Sequence, residues 1–158
     1  LRAGHPPFQA PEAITGMYDN ASVEGSLPDH INPWWYGKTN RNVFQGVMMG
    51  SYYGQYRRYC ETLTAMDRDI VRLLDFVDQE GLRDNTVVIY MGDNGFSWGE
   101  HGLIDKRHFY EESVKVPLLV RCPDLFEGGK TPTAMVQNID IGPTILAEAM
   151  VPAASSHW

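Results

Sequence analysis

From about Val47 to Glu80, apolar and polar positions recur in steps of three and four. Tyr52, Tyr56, Tyr59, Leu63, Met66, Ile70, Leu73 and Val77 fall on one stripe, with Arg57, Arg58, Glu61, Arg68 and Asp75 on other faces. That spacing predicts a long amphipathic helix, ended by Gly81 at the position where a left-handed residue closes a helix. The stripe needs a partner surface, so core packing is expected of it. Next comes Thr86-Val87-Val88-Ile89-Tyr90-Met91, whose β-branched and apolar run predicts a strand buried on both faces. It stops at the turn chemistry of Gly92-Asp93-Asn94-Gly95. Val116 to Arg121 predicts a second strand, with Pro117 at its beginning or on an edge. Thr133 to Val136 predicts a short third strand. Ile141 to Met150 predicts a last helix capped by Asp140, with Pro143 in its tolerant first turn.

Residues 1–50 keep neither period and are rich in Pro, Gly, Asn and Trp. They are expected to be extended and loop-rich, with a short helix around Pro11 to Tyr18. Trp34, Trp35 and Tyr36 pack on a neighbouring surface or line a substrate cleft, and packing is the default for large aromatics. Helix, strand, loop, helix, strand and helix in succession make an α/β pattern.

Composition narrows the function. The 158 residues are 43% hydrophobic and 21% charged, an ordinary globular balance. With 13 Lys and Arg against 20 Asp and Glu, the net charge is −7. That argues against a general nucleic-acid binder, which needs a basic footprint. A small anionic substrate stays open, because a few local cations steer an anion within an acidic protein. Cys60 and Cys122 are too few for a disulfide framework and lack zinc-ligand spacing. No apolar run approaches the roughly 18 residues of a membrane span. The stretch from Leu1 to Pro7 has no signal-peptide character and no initiator Met, so the chain is expected to be a piece of something longer.

Ligands of open α/β sheets gather beyond the carboxyl ends of the strands. The segment leaving the first strand, Gly92 to Lys106, sets Asp93, Asn94, His101 and Lys106 among four glycines. Asp93 and Asn94 offer hard oxygens that suit Ca²⁺ or Mg²⁺, although Asp-Asn-Gly is also a common turn. Lys106 is a point charge for an oxyanion. Gly128-Gly129-Lys130-Thr131 mimics the end of a phosphate-binding loop but has Asp124 where that loop needs Gly.

Taken in order, these residues resemble the C-terminal part of a type I sulfatase, a formylglycine-dependent enzyme of the alkaline-phosphatase superfamily. The resemblance is carried by Thr86 to Gly95, Gly99-Glu100-His101-Gly102-Leu103 with Lys106, Tyr110-Glu111-Glu112-Ser113 and Val116 to Val120. Upstream, His5-Pro6-Pro7-Phe8 is similar to the family's His-x-Pro-Phe segment. Met66 to Ile70 and Ile139 to Thr144 extend the likeness over nearly the whole chain. It implies an α/β fold: part of an alkaline-phosphatase-like sandwich, with a long amphipathic helix plus mostly parallel strands, residues 1–158 forming a single partial domain. It also implies that Asp93 and Asn94 bind Ca²⁺, that Lys106 contacts the sulfate, and that His5 contacts the sulfate or assists proton transfer. His101 is implied as a substrate contact or as support for one. Arg107, with His108, reaches the sugar or stays solvated.

The family's nucleophile is a formylglycine made within Cys/Ser-x-Pro/Ala-x-Arg, which this sequence lacks; Ser26-Leu27-Pro28-Asp29-His30 ends in His rather than Arg. The family's two N-terminal Asp metal ligands and its upstream Lys/His pair have no match either. The expectation is therefore a partial site. The parent hydrolyses a sulfate ester, on a glycan, while this chain alone is inactive. A phosphate or phosphonate ester hydrolase of the same superfamily and a non-catalytic glycan- or partner-binding domain stay beside it as alternatives. A sulfated small molecule or glycan is the expected partner, with no nucleic acid and no membrane span. Half a sheet would also expose an edge and an apolar helix face, which favours self-association. The family resemblance implies a periplasmic, secreted or lysosomal location.

Overall fold

The computed structural model describes residues 5, 7–23, 25, 52–125 and 127–149, in two compact units, Leu1–Cys122 and Pro123–Trp158. Trp34, Trp35, Tyr36 and the Ser26–His30 segment lie outside the described residues. The long helix, α1, spans Tyr52–Gln79. Gly81 closes it at φ +67. Its N–H donates to Asp78 O at 3.2 Å, and Leu82 N–H donates to Val77 O at 3.0 Å; this pair of bonds defines a Schellman closure.

The stripe of α1 is half-buried from Tyr52 to Ile70 and buried at Val77, but Leu73 is 56% exposed. Glu61, expected on a polar face, is 3% exposed. Its position is explained by what lies over it: Gly16 N–H donates to Glu61 Oε1 at 2.7 Å. Tyr18 Oη and Thr64 Oγ1 meet at 2.8 Å beside it, and Arg57 donates through Nε and Nη2 to Ala21 O at 3.0 and 2.8 Å. The helix expected around Pro11 to Tyr18 is instead a run of turns. Ile14 N–H donates to Pro11 O, Met17 N–H to Ile14 O, and Asp19 N–H to Gly16 O. Gly16 at φ +83 breaks any helical path.

Two antiparallel pairs follow. β1, Val88–Met91, pairs with β4, Leu118–Arg121, in the register Val88 with Arg121 and Met91 with Leu118. β2, Ser97–Trp98, pairs with β3, Ile104–Asp105. The mostly parallel strands expected are not found among the described residues. A parallel pair needs a long crossover, usually a helix. The chain between β1 and β4 holds the β2–β3 pair, a 3₁₀ turn at Glu100–Gly102 and a one-turn helix, α2, Glu111–Val114, but no long crossover helix. It therefore returns from the carboxyl end of β1 and runs antiparallel. Pro117 sits just before β4, and its carbonyl accepts Gly92 N–H at 3.2 Å. Nor are these strands buried on both faces: β1 is half-buried, and Leu119 of β4 is 65% exposed. Two strands are too few to be covered on both sides. Arg121 and Arg83 both pair with Asp78, tying β4 to the end of α1.

The core of this unit is aromatic. Trp98, Phe8 and Ile104 are buried, with Tyr52, Tyr56, Tyr59 and Phe96 packed against them. The Trp98 ring lies 5.1 to 5.6 Å from those of Phe96, Tyr56, Tyr59 and Phe8. Tyr52 Oη donates to Trp98 O.

In the second unit, Thr133 to Val136 forms no strand, and Met135 is exposed. Helix α3, Ile141–Glu148, holds Pro143 in its first turn. A 3₁₀ turn, Asn138–Asp140, precedes it. Asp140 stands at the N-cap position of α3 but makes no side-chain capping bond to it; its Oδ2 accepts Gln137 N–H at 2.8 Å, one turn earlier. Among the described residues, no helix is long and apolar enough to cross a membrane.

Candidate active site

The end of β1 is shaped by a glycine. Gly95 N–H donates to Ser113 O at 2.9 Å, which brings the backbone of α2 against the strand end. A Cβ on Gly95 would lie 2.0 Å from the Glu112 carbonyl oxygen, so no other residue fits without movement. Immediately before it, Asp93 Oδ1 accepts Asn94 N–H at 2.8 Å, and Asn94 Nδ2 donates to Gly95 O at 2.7 Å. The second bond commits the amide nitrogen of Asn94 to the protein.

The chain then makes a tight reversal. Gly99, His101, Gly102 and Asp105 all have positive φ, at 103°, 56°, 70° and 93°. Gly99 N–H donates to Leu103 O at 2.8 Å, and Glu100 Oε2 accepts Trp98 N–H at 2.6 Å. Asp105, a non-glycine in a left-handed conformation, accepts the N–H of Lys106 on its own Oδ1 at 2.8 Å. Its Oδ2 lies 3.5 Å from Arg107 Nε. Lys106 is half-buried and Arg107 exposed.

His101 is fixed by two neighbours that the sequence reading assigned no role. Its ring stacks on Tyr110 with centroids 3.9 Å apart and planes 12° from parallel. Its Nε2 lies 3.3 Å from Glu112 Oε2. Tyr110 and Glu112 stand inside a family-like run, but their meeting with His101 depends on the left-handed turns between them. No periodicity could have signalled it.

His5 comes from the other end of the chain and is exposed. It stands three residues before Phe8, whose ring packs on Trp98 and, at 5.4 Å, on Tyr59. Three residues of chain reach at most about 11 Å, so the Phe8 anchor holds His5 near the aromatic core beside β2. The structure thus gathers Asp93, Asn94, His101, Lys106 and Arg107 on one segment after β1 and tethers His5 to the same core. Burial raises the pKa of the Tyr56 and Tyr59 phenols and of the Cys60 thiol above their ordinary values.

A hard cation fits Asp93 and Asn94 in kind, since a carboxylate and an oriented amide oxygen sit side by side. Ca²⁺ takes about 6–8 oxygens. Among the described residues, no group of three or more His, Cys, Asp or Glu could complete such a shell.

The family model for sulfatases matches residues 1–150. The chain belongs to the sulfatase family. The chain is 43% identical over 143 residues to an N-acetylglucosamine-6-O-sulfatase of Bacteroides thetaiotaomicron, an alignment covering 85% of this chain and 26% of that protein. It is 41% identical over 148 residues to the N-acetylglucosamine-6-sulfatase of Homo sapiens, covering 91% of the chain and 27% of the relative. A solved structure of a protein in complex with its substrate, D-glucosamine-2-N,6-O-disulfate, matches it with a TM-score of 0.62 at 32% identity. That match covers 95% of this chain and 33% of the other. The α/β, alkaline-phosphatase-like class expected from the sequence holds. The chain spans about a quarter of the length of the curated relatives it matches. Proteins named extracellular sulfatases stand among its relatives too.

Proposed function

We propose that the protein hydrolyses sulfate esters of a glycan, with a 6-O-sulfated amino sugar as the substrate class. The observation that carries this is the Gly92–Lys106 segment, which sets a hard-oxygen pair and a half-buried lysine beyond the carboxyl end of β1 in a chain 41–43% identical to N-acetylglucosamine-6-sulfatases. Residues 1–158 contribute part of the catalytic domain, and the nucleophile, a formylglycine, comes from outside this sequence. Asp93 and Asn94 would contribute oxygens to Ca²⁺, which would supply Lewis-acid withdrawal of charge from a sulfate oxygen.

The chain's own residues do the rest. Lys106 places an ammonium against the sulfate, where negative charge develops as the S–O bond to the sugar breaks. His5 contacts a sulfate oxygen or passes a proton to the departing sugar oxygen. His101 lines the sulfate side of the turn, and Arg107 faces the sugar. Sulfate ester and water give sulfate and the free sugar hydroxyl. A location outside the cytosol, whether periplasmic, secreted or lysosomal, agrees with the extracellular names among the relatives.

The test uses the product of the natural gene on N-acetylglucosamine-6-sulfate, an aryl sulfate and an aryl phosphate in parallel. The proposal expects sulfate release to dominate, to need Ca²⁺, and to fall in the Asp93→Ala variant with weaker Ca²⁺ binding by titration calorimetry. Faster release of phosphate would make the protein a phosphate-ester hydrolase. Binding of the sulfated sugar without any release would make it a non-catalytic glycan binder.

A further inference from the structure

The one-turn helix α2 touches both parts of the candidate site. Its backbone meets Gly95, one residue after Asn94, through the bond from Gly95 N–H to Ser113 O and the close approach of the Glu112 carbonyl. Its Glu112 side chain reaches the other way, to His101 Nε2 at 3.3 Å. Glu112 Oε2 is buried and has no hydrogen-bond partner among the described residues, and His101 Nε2 is the polar group the structure sets beside it. His101 in turn sits at φ 56, a backbone conformation a non-glycine residue holds only when its surroundings impose it, and Tyr110 presses on its ring.

We propose that Glu112 is a positioning residue: through its contact with His101 it fixes the Gly99–Gly102 reversal and so sets where Lys106 stands relative to Asp93 and Asn94. Only the kinetic consequence rests on the sulfatase reading of the site; the contact itself does not. Asp105 completes the device by holding the Lys106 amide. Glu112 and Tyr110 hold one end of the loop, and Asp105 shapes the other.

The test compares wild type with Glu112→Ala and Glu112→Gln by two readouts. The first is the NMR signals of the His101 ring protons, assigned by His101→Asn, which the stacked Tyr110 ring shifts upfield. Glu112→Ala should move them back toward the position of an exposed histidine, while Glu112→Gln, which keeps a side-chain oxygen for Nε2–H, should hold them. The second is kinetics on N-acetylglucosamine-6-sulfate, where Glu112→Ala should lower kcat/KM by about 10–100-fold, as loss of an orienting partner does. Glu112→Gln should recover most of that loss. Ring signals unmoved in Glu112→Ala overturn the proposal. So does an equal kcat/KM loss in both variants that tracks a lower melting temperature, since that marks a merely structural role. A wild type that releases no sulfate refutes the sulfatase reading and its kinetic consequence, whereas the ring signals still decide the contact.

Discussion

Glu61, buried in the middle of α1, accepts the backbone N–H of Gly16, forty-five residues earlier in the chain, at 2.7 Å. A buried N–H left without its acceptor costs about 1–3 kcal/mol. Glu61→Ala should therefore destabilise the protein by that amount, and Glu61→Gln, which keeps an oxygen in place, by less. Urea unfolding measures both. Equal stability of wild type and Glu61→Ala would mean that the turns of residues 11–20 do not depend on this bond.

The contact at Gly95 makes a sharper demand. A Cβ there meets only backbone, at 2.0 Å from the Glu112 oxygen and 3.3 Å from Ser113 Cα, so no side chain can rotate away. Gly95→Ala should push α2 off the strand end and cost about 1–3 kcal/mol, as overpacking does. Gly128→Ala is the control, since nothing lies within 4 Å of its Cβ, and its denaturation midpoint should match wild type.

Lys106→Ala should separate activity from stability. A half-buried loop lysine carries little of the core, so the expected change in unfolding free energy is within about 0.5 kcal/mol. Loss of a group that stabilises charge in the transition state costs about 10²–10³ in rate. Lys106→Arg should recover only part of it, because a planar fork does not replace a compact ammonium. Turnover near wild type in Lys106→Ala would remove this residue from the site.

Stability should fall on the alkaline side. Burial, and then the neighbouring Tyr56, Cys60 and Tyr90, raise the Tyr59 phenol above the ordinary 10.0. The unfolded chain then loses this proton before the folded one does. The contribution is complete below about pH 10 and disappears as pH rises through the folded-state pKa. Tyr59→Phe should flatten the decline of the urea midpoint as pH rises above about 10. An unchanged slope would place the titration elsewhere.

What the sequence made legible follows from which interactions are local. The stripe from Tyr52 to Val77 and the glycine after it are nearest-neighbour properties, and α1 with its Gly81 closure was readable. The residue types after β1 likewise marked the segment proposed for the site. Strand direction was not readable, because pairing of Val88 with Arg121 is decided by how the intervening chain returns. Glu61 looked like a solvated charge, since nothing local shows that Gly16 lies over it. The contact of Glu112 with His101 needs two residues in left-handed conformations that their side chains do not announce, one at His101 and one at Asp105.

Trp98 has a kinetic meaning as well. Its ring joins Phe8, three tyrosines of α1 and Phe96, segments separated by the whole length of the helix and the first strand. The three tyrosines are carried by one helix, but the meeting of Phe8 with Trp98 closes a loop over most of this unit. Contacts of such long sequence separation are paid for in chain entropy before they stabilise anything, and they slow folding. On that ground the meeting of Phe8 with Trp98, and with it the seating of the arm bearing His5, is expected after the tyrosines of α1 are in their helix.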